Sequence, residues 1–339
     1  MVVINLYSDE KPNININIKS NKDLYNKCLN NNNQIDDVLH VITFISNICN
    51  FKRRWQLMNE FNERMNKVKN IKFYIVELAY EDQEFKITNS TNPNHLQLRT
   101  KYALWHKENL INIGISKLLP SDWKAVAWID GDIEFEDNNW VNNTLKLLTK
   151  FDIVQLFTVC LDLNENNIPM NIWQSYGYKY CNGYTFKYDR GINYWHTGYA
   201  WACNRKFYNK IGYIYDKGVI GSGDYILTQG FLDRIACVSG NLKGFNEDII
   251  KFIKKLKKIK IGYVPSIIKH YFHGSKINRK YIERNQILIK YNYNPSKHLT
   301  YDENNILIPT NEMSQEFLLD IKKYFFQRND DEYYELIKK

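Results

Sequence analysis

Two aspartates separated by a glycine, Asp130-Gly131-Asp132, close an apolar run at residues 125–129. Side chains at i and i+2 of an extended segment point to the same side, so both carboxylates can face one space. The carboxyl end of a strand is where open α/β sheets place their ligands. Two carboxylates and the oxygens of a phosphate group make the hard shell that Mg2+ or Mn2+ takes up, and a cation held there neutralises a departing diphosphate. Gly131 permits a close approach of backbone or substrate. Asp-x-Asp also occurs in acidic loops, and Glu134, Glu136 and Asp137 follow closely; position after a buried strand is what separates the two readings.

Two further segments carry chemistry. Residues 218–224 read Gly-Val-Ile-Gly-Ser-Gly-Asp, a loop whose three glycines allow tight packing against a ligand. Asp224 then stands at a helix start, where it is either an N-cap or a base that accepts the proton of an acceptor hydroxyl. Residues 270–276 read His-Tyr-Phe-His-Gly-Ser-Lys after the strand-like 261–268. A histidine at a strand end can complete a cation's shell, and a nearby lysine can meet a phosphate as a point charge. His273, beside Gly274, is the preferred ligand, with Lys276 as the phosphate contact; a structural histidine is the competing reading for His270 and His273 alike.

These segments need elements to hold them. Residues 38–45 form a short β-branched run that reads as a buried strand. Phe51, Trp55, Met58, Phe61, Met65 and Val68 recur at spacings of three and four, which predicts a helix with one apolar stripe and with Arg53, Glu60 and Lys67 facing elsewhere. Residues 71–78 supply the next strand, and strand, helix, strand is the pattern of a parallel sheet. A helix over 104–118 stopped by Pro120, a strand at 125–129, a helix at 140–148 and a strand at 153–157 continue it. The stretch 162–194 shows no period and reads as a long functional insertion. The segment 312–336 reads as one or two helices packed on the outside of the core. The fold class is therefore α/β, with a mostly parallel central sheet flanked by helices.

With 339 residues and 44% hydrophobic content the chain can bury a sizeable core, which excludes wholesale disorder. Tyr (25), Phe (17) and Trp (8) are frequent enough to stiffen a core or to stack on sugars and bases, and Trp195, Tyr199 and Trp201 are candidates for either. A formal charge of +9 admits polyanionic partners, although lysines 251, 254, 255, 257, 258 and 260 concentrate much of it in what reads as one solvated helix face. Cysteines 28, 49, 160, 181, 203 and 237 lack metal-finger spacing and read as reduced, mostly buried thiols. No secretory leader and no transmembrane segment is visible, so the expectation is a soluble cytoplasmic protein, in the host cytoplasm if the source is viral.

In order along the chain, Val76-Glu77-Leu78-Ala79 with Gln83, Leu104-Trp105-His106-Lys107-Glu108 with Asn112, Ala127 to Asp132, Gly198 to Ala202, Gly221 to Asp224, and His270 to Gly274 with Arg279, Tyr281 and Arg284 resemble a group of GT-A-type glycosyltransferases of viruses and bacteria. The resemblance spans about residues 38–307. It implies a Rossmann-like GT-A fold, a nucleotide-sugar donor (a UDP- or GDP-sugar), Mn2+ or Mg2+ on the DxD, and one catalytic domain. It also implies Glu77 at the nucleotide base, Asp130 at the ribose or sugar and on the metal, Asp132 and His273 on the metal, and Lys107 and Lys276 as donor contacts. His106 stands where the family pattern has Gln, and Ser222 interrupts a run that is more often all glycine.

The resulting division is an Asn-rich, partly ordered segment at 1–36, a catalytic domain at 37–310 and a helical tail at 311–339. The expected reaction is transfer of a hexose-type residue to a hydroxyl on a glycan, protein or lipid-linked acceptor, with Asp224 as base and inversion at the anomeric carbon. Two other classes compete. A metal-dependent phosphodiesterase or nuclease would use the same acidic and imidazole groups but needs more carboxylates for a two-metal site. A non-enzymatic nucleic-acid-binding protein would suit the charge, yet no recognised binding motif is present, so nucleic acid is not the expected main partner.

Overall fold

Apolar runs alternating with amphipathic helices build a central sheet within residues 15–187, 194–234 and 242–338, which the computed structural model describes. The strands that position the site are β1 (Leu39–Ser46), β2 (Ile71–Tyr80), β3 (His95–Thr100), β4 (Ala125–Ile129), β5 (Ile133–Phe135), β6 (Ile153–Gln155), β7 (Val159–Leu163), β8 (Pro169–Gln174), β9 (Ala200–Asn204), β10 (Ile261–Tyr263) and β11 (Ile267–His270). Seven of them form one sheet in the order β10-β6-β9-β4-β1-β2-β3. Only β9 runs antiparallel to its neighbours, so the sheet is mostly parallel.

Side chains alternate across a strand, and β4 feeds two cores. Val126 and Trp128 join one hydrophobic cluster; Ala125, Ala127 and Ile129 join the other. Helix α1 (Lys52–Met65) covers the second face with Trp55, Met58, Phe61 and Met65. Helix α2 (Lys107–Leu118) covers the first with Leu110, Ile111 and Ile115. A strand covered on both faces needs no polar side, which is why β1, β2 and β4 read as continuous apolar runs.

A smaller sheet, β5-β11-β7-β8, stands beside the end of β4. It corrects two expectations. The stretch 162–194, expected as a long functional insertion without a period, carries regular elements in its described residues: part of β7, all of β8 and a helix at Tyr176–Cys181. The single strand expected at 261–268 is two, β10 in the large sheet and β11 in the small one. Arg53, expected on the outward face of α1, is buried; its Nε donates to the carbonyl of Phe272 at 2.9 Å and its guanidinium lies over the Tyr333 ring.

The C-terminal helices, α4 (Gln315–Gln327) and α5 (Glu332–Leu336), follow α3 (Gly223–Phe231) in the set that matters for the site. They do more than pack outside the core, because Phe325 and Arg328 line the central cleft. Residues 15–29 hold a short strand, Asn15–Ile16, and a helix, Lys22–Leu29. Cys28, Cys160, Cys181 and Cys203 are buried and Cys49 partly so, all as free thiols; Cys237 lies outside the described residues. Among the described residues no helix is long and apolar enough to cross a membrane.

Candidate active site

A cleft of about 780 Å3 opens at the carboxyl ends of β1 and β4 and contains Asp130, Asp132, Asp224, His270, His273 and Arg284 in its lining. Its size suits a ligand of several ring systems.

Asp130 and Asp132 both reach the cleft but part company there. The Asp130 backbone N–H donates to the Tyr199 carbonyl at 2.9 Å, continuing the β4–β9 pairing, while Tyr271 N–H donates to the Asp132 carbonyl at 2.9 Å. The second bond ties the motif to the loop after β11. Register does the rest: His270 lies opposite Ile133 on β5 and Asp162 on β7. Asp132, His270 and His273 then present ligand atoms that all lie within 4.8 Å of one another. Asp132 Oδ2 is 3.1 Å from His273 Nε2 and 3.8 Å from His270 Nε2, and the two Nε2 atoms are 3.2 Å apart. Asp132 Oδ1 is buried without a hydrogen-bond partner.

The proton positions follow from the neighbours. Asp162, fully buried, accepts from His270 Nδ1 at 2.7 Å, which leaves the His270 Nε2 lone pair aimed at Asp132 and His273. This carboxylate–histidine pairing is the arrangement that orients metal-binding imidazoles. Arg279 Nη2 donates to the His273 carbonyl at 2.9 Å and lies 2.7 Å from His273 Nδ1, which pins the ring beside Asp132 and His270. Burial and then Arg279 lower the pKa of His273 and keep the ring neutral. Burial alone would raise Asp132, but the facing imidazoles and Lys107 outweigh it and hold the carboxyl well below the usual range.

Asp130 is not in that group. Lys107, at the first position of α2, sits 2.7 Å from Asp130 Oδ1 and 3.0 Å from Asp224 Oδ2, bridging the two carboxylates. Burial would lower Lys107; the surrounding carboxylates raise it, so it stays charged. Glu108 lies behind this bridge, accepts from Trp105 Nε1 at 3.1 Å, and is pushed up to about 8 by burial and by Asp224. Gly223 makes the arrangement feasible, because a Cβ there would stand 2.2 Å from Glu108 Oε1. Gly131 likewise admits close packing, though what approaches it is Met58 Sδ rather than a ligand.

The remaining expectations fare differently. Glu77 is 1% exposed, does not line the cleft, and accepts from the backbone N–H groups of Lys86, Ile87 and Thr88 and from the Thr88 hydroxyl at 2.7–3.1 Å. Its carboxylate organises the loop after β2, which corrects the expected contact with a nucleotide base. Lys276 lines the cleft with its ammonium on Asp162 and over the Trp173 ring, so in this structure it neutralises the carboxylate that orients His270 instead of standing free for a phosphate. Trp201 is wholly core; Trp195 and Tyr199 are buried but reach the cleft wall, and the Tyr199 ring stacks on His196 at 4.0 Å.

Sequence reading passed over Asp162, His196 and the tail residues Arg328 and Asp330. Asp162 sits in the aperiodic stretch, and only its pairing opposite His270 marks it. The buried Asp330 carboxylate pairs with Arg54 and lies 3.3 Å from Arg279, 3.9 Å from Arg328 and 3.8 Å from His273 Nδ1. The Arg328-Asn329-Asp330-Asp331 run was the available signal for it.

No family model and no curated protein matches the chain. Among solved structures it is similar to the catalytic domain of Drosophila β1,4-galactosyltransferase 7 in complex with xylobiose, at 12% identity over 58% of this chain and 62% of that one, with a TM-score of 0.31. It is similar to the mannosyltransferase PcManGT from Pyrobaculum calidifontis in complex with GDP-Man and Mn2+, at 11% identity over 79% and 68%, with a TM-score of 0.42. A third is 4-diphosphocytidyl-2C-methyl-D-erythritol synthase from Anaerococcus prevotii, at 13% identity over 86% and 96%, with a TM-score of 0.32. The chain thus spans less than two thirds of the galactosyltransferase domain, and at these scores the functional reading rests on the site itself.

Proposed function

We propose that this chain is a metal-dependent glycosyltransferase of GT-A type, moving a sugar from a UDP- or GDP-sugar to a hydroxyl acceptor with inversion at the anomeric carbon. One observation carries the reading: Asp132, His270 and His273 converge on a single point beside the Asp130–Lys107–Asp224 bridge, inside a cleft large enough for a nucleotide sugar. One carboxylate oxygen and two imidazole nitrogens form a donor set that favours Mn2+ over Mg2+, and the unpartnered Asp132 Oδ1 leaves a further oxygen available. When bound there, the cation supplies charge for the leaving diphosphate.

The chain's own groups do the rest. Asp162 holds His270 in the tautomer that offers Nε2. Lys107 fixes Asp130 and Asp224 relative to one another, and its ammonium keeps a positive charge in the cleft beside Asp224. Asp224 accepts the acceptor's hydroxyl proton as the acceptor oxygen bonds to the anomeric carbon and the bond to the diphosphate breaks. Lys276 and His273 line the same floor, the latter as metal ligand.

The test is a thermal-shift and turnover screen of nucleoside diphosphates and UDP- and GDP-sugars, with and without Mn2+, on the full chain and on D132N. The expected result is metal-dependent stabilisation by one nucleotide, about 2.7 kcal/mol at a hundredfold excess over Kd, together with release of nucleoside diphosphate, both lost in D132N. Equal stabilisation of D132N would remove the metal assignment, and phosphodiester cleavage without sugar transfer would replace the transferase by a hydrolase.

A further inference from the structure

One wall of the cleft, starting beside His273, gathers four guanidinium groups. Arg54, Arg279, Arg284 and Arg328 line it together with Glu283, and the buried carboxylate of Asp330 packs against three of the four arginines. Asp330 is shared by Arg54, Arg279 and Arg328. Arg284 has none: among the described residues no carboxylate pairs with it. It is 8% exposed, its Nη2 donates to Ser222 Oγ at 2.6 Å, its Nη1 to the Tyr324 hydroxyl at 3.0 Å, and its Nε has no partner.

Arg284 is held by two hydroxyls and lies over the Tyr281 and Tyr324 rings, none of which is a counter-ion, and a desolvated charge of this kind is costly until an anion reaches it. The local field agrees with this. Burial alone would raise Tyr324, yet Arg284, Arg328 and Arg279 pull its hydroxyl below the usual tyrosine range. Position then selects the anion. Arg279 lies against His273, on the metal side. Arg284 instead grips Ser222, the N-cap of α3 and two residues from Asp224, with Gly221 so close that a Cβ there would stand 3.3 Å from Arg284 Nη1.

We infer that Arg284 and Ser222 bind an oxyanion carried by the acceptor, a phosphate or carboxylate near the hydroxyl that Asp224 deprotonates. The acceptor is thereby an acidic compound such as a phosphorylated or uronic-type hydroxyl substrate. The choice of acceptor over donor rests on the transferase reading; the anion point itself does not.

Isothermal titration of the full chain with inorganic phosphate and with glucuronate, each with and without saturating nucleoside diphosphate and Mn2+, tests it. Wild type should bind one of these probes on top of the nucleotide. R284Q should weaken that binding by roughly 10–100-fold, R284K and S222A should weaken it less, and nucleoside diphosphate affinity should stay within about threefold in all three. Far-UV circular dichroism checks folding, and R284K and S222A keep the test decisive if R284Q fails to fold. Phosphate that competes with the nucleotide, with R284Q losing both, assigns Arg284 to the donor diphosphate and overturns the acceptor assignment. Equal binding of the probes by wild type and the variants, or none by wild type, overturns the anion point. A wild type that ignores every nucleotide but binds phosphate through Arg284 removes the transferase and keeps the anion point.

Discussion

The floor and the wall of the cleft are built from opposite charges and are incomplete in opposite ways. On the floor, Asp130, Asp132, Asp162 and Asp224 face two ammonium groups, Lys107 and Lys276. On the wall, Arg54, Arg279 and Arg328 share Asp330, and Arg284 holds Ser222 instead. Carboxylates outnumber ammonium groups on the floor and guanidiniums outnumber carboxylates on the wall, so a ligand that carries charges of both signs complements the two together. A binding surface for a single polyanion would not have needed the acidic floor.

The contrast breaks most visibly at Asp330. D330N leaves Arg54, Arg279 and Arg328 without their carboxylate and should cost about 3–5 kcal/mol by denaturant unfolding at neutral pH. Burial alone would raise Asp330, but the three arginines outweigh it and hold the carboxyl far below the usual range. Its ionised form therefore contributes stability that is present above about pH 4 and is lost as pH falls toward the depressed folded-state value; D330N should lack that acid-side loss. Unchanged stability in D330N would mean the wall is not charge-strained.

On the floor, D162A leaves Asp132, His270 and His273 in place but removes the acceptor that fixes His270, and it should weaken Mn2+ binding by roughly 10–100-fold, read by electron paramagnetic resonance of free Mn2+. Retained affinity would separate Asp162 from the metal centre. Where floor and wall meet, G223A drives a Cβ into Glu108 and should destabilise the fold by about 1–3 kcal/mol. In an E108A background the same substitution should cost less, and a double-mutant cycle with no coupling would contradict that contact. The smallest effect is expected at Ser314, which caps α4 by accepting from Phe317 N–H at 3.2 Å. S314A should cost about 1 kcal/mol, and a larger loss would mean that the wall depends on the tail more than its packing implies.

Much of the large sheet was legible in the chain. β1, β2 and β4 are buried on both faces and therefore leave continuous apolar runs, and the stripe of α1 repeats at helical spacing. The small sheet was harder to read. β8 is largely solvent-exposed along one face and β7 mixes Cys160, Asp162 and Leu163 in the core, so neither shows a clean alternation. At the site, Asp132 and His273 stand together as their motifs suggested, whereas Asp130 turned to Lys107 and His270 came in as a third ligand candidate. Only the family resemblance placed Glu77 at a nucleotide base, and three backbone N–H groups of its own loop take up its oxygens.

Composition and periodicity by themselves determined that the chain folds as a helix-flanked, mostly parallel sheet ending in an acidic motif, because burial writes its period directly into neighbouring residues. Which carboxylate joins the two imidazoles, and that Asp162 and Arg284 line one cleft with Asp330 buried against its arginines, only the tertiary structure decided. Those groups are far apart in the chain, and charge pairing across a fold follows from strand register and tail packing, which leave no local pattern to read.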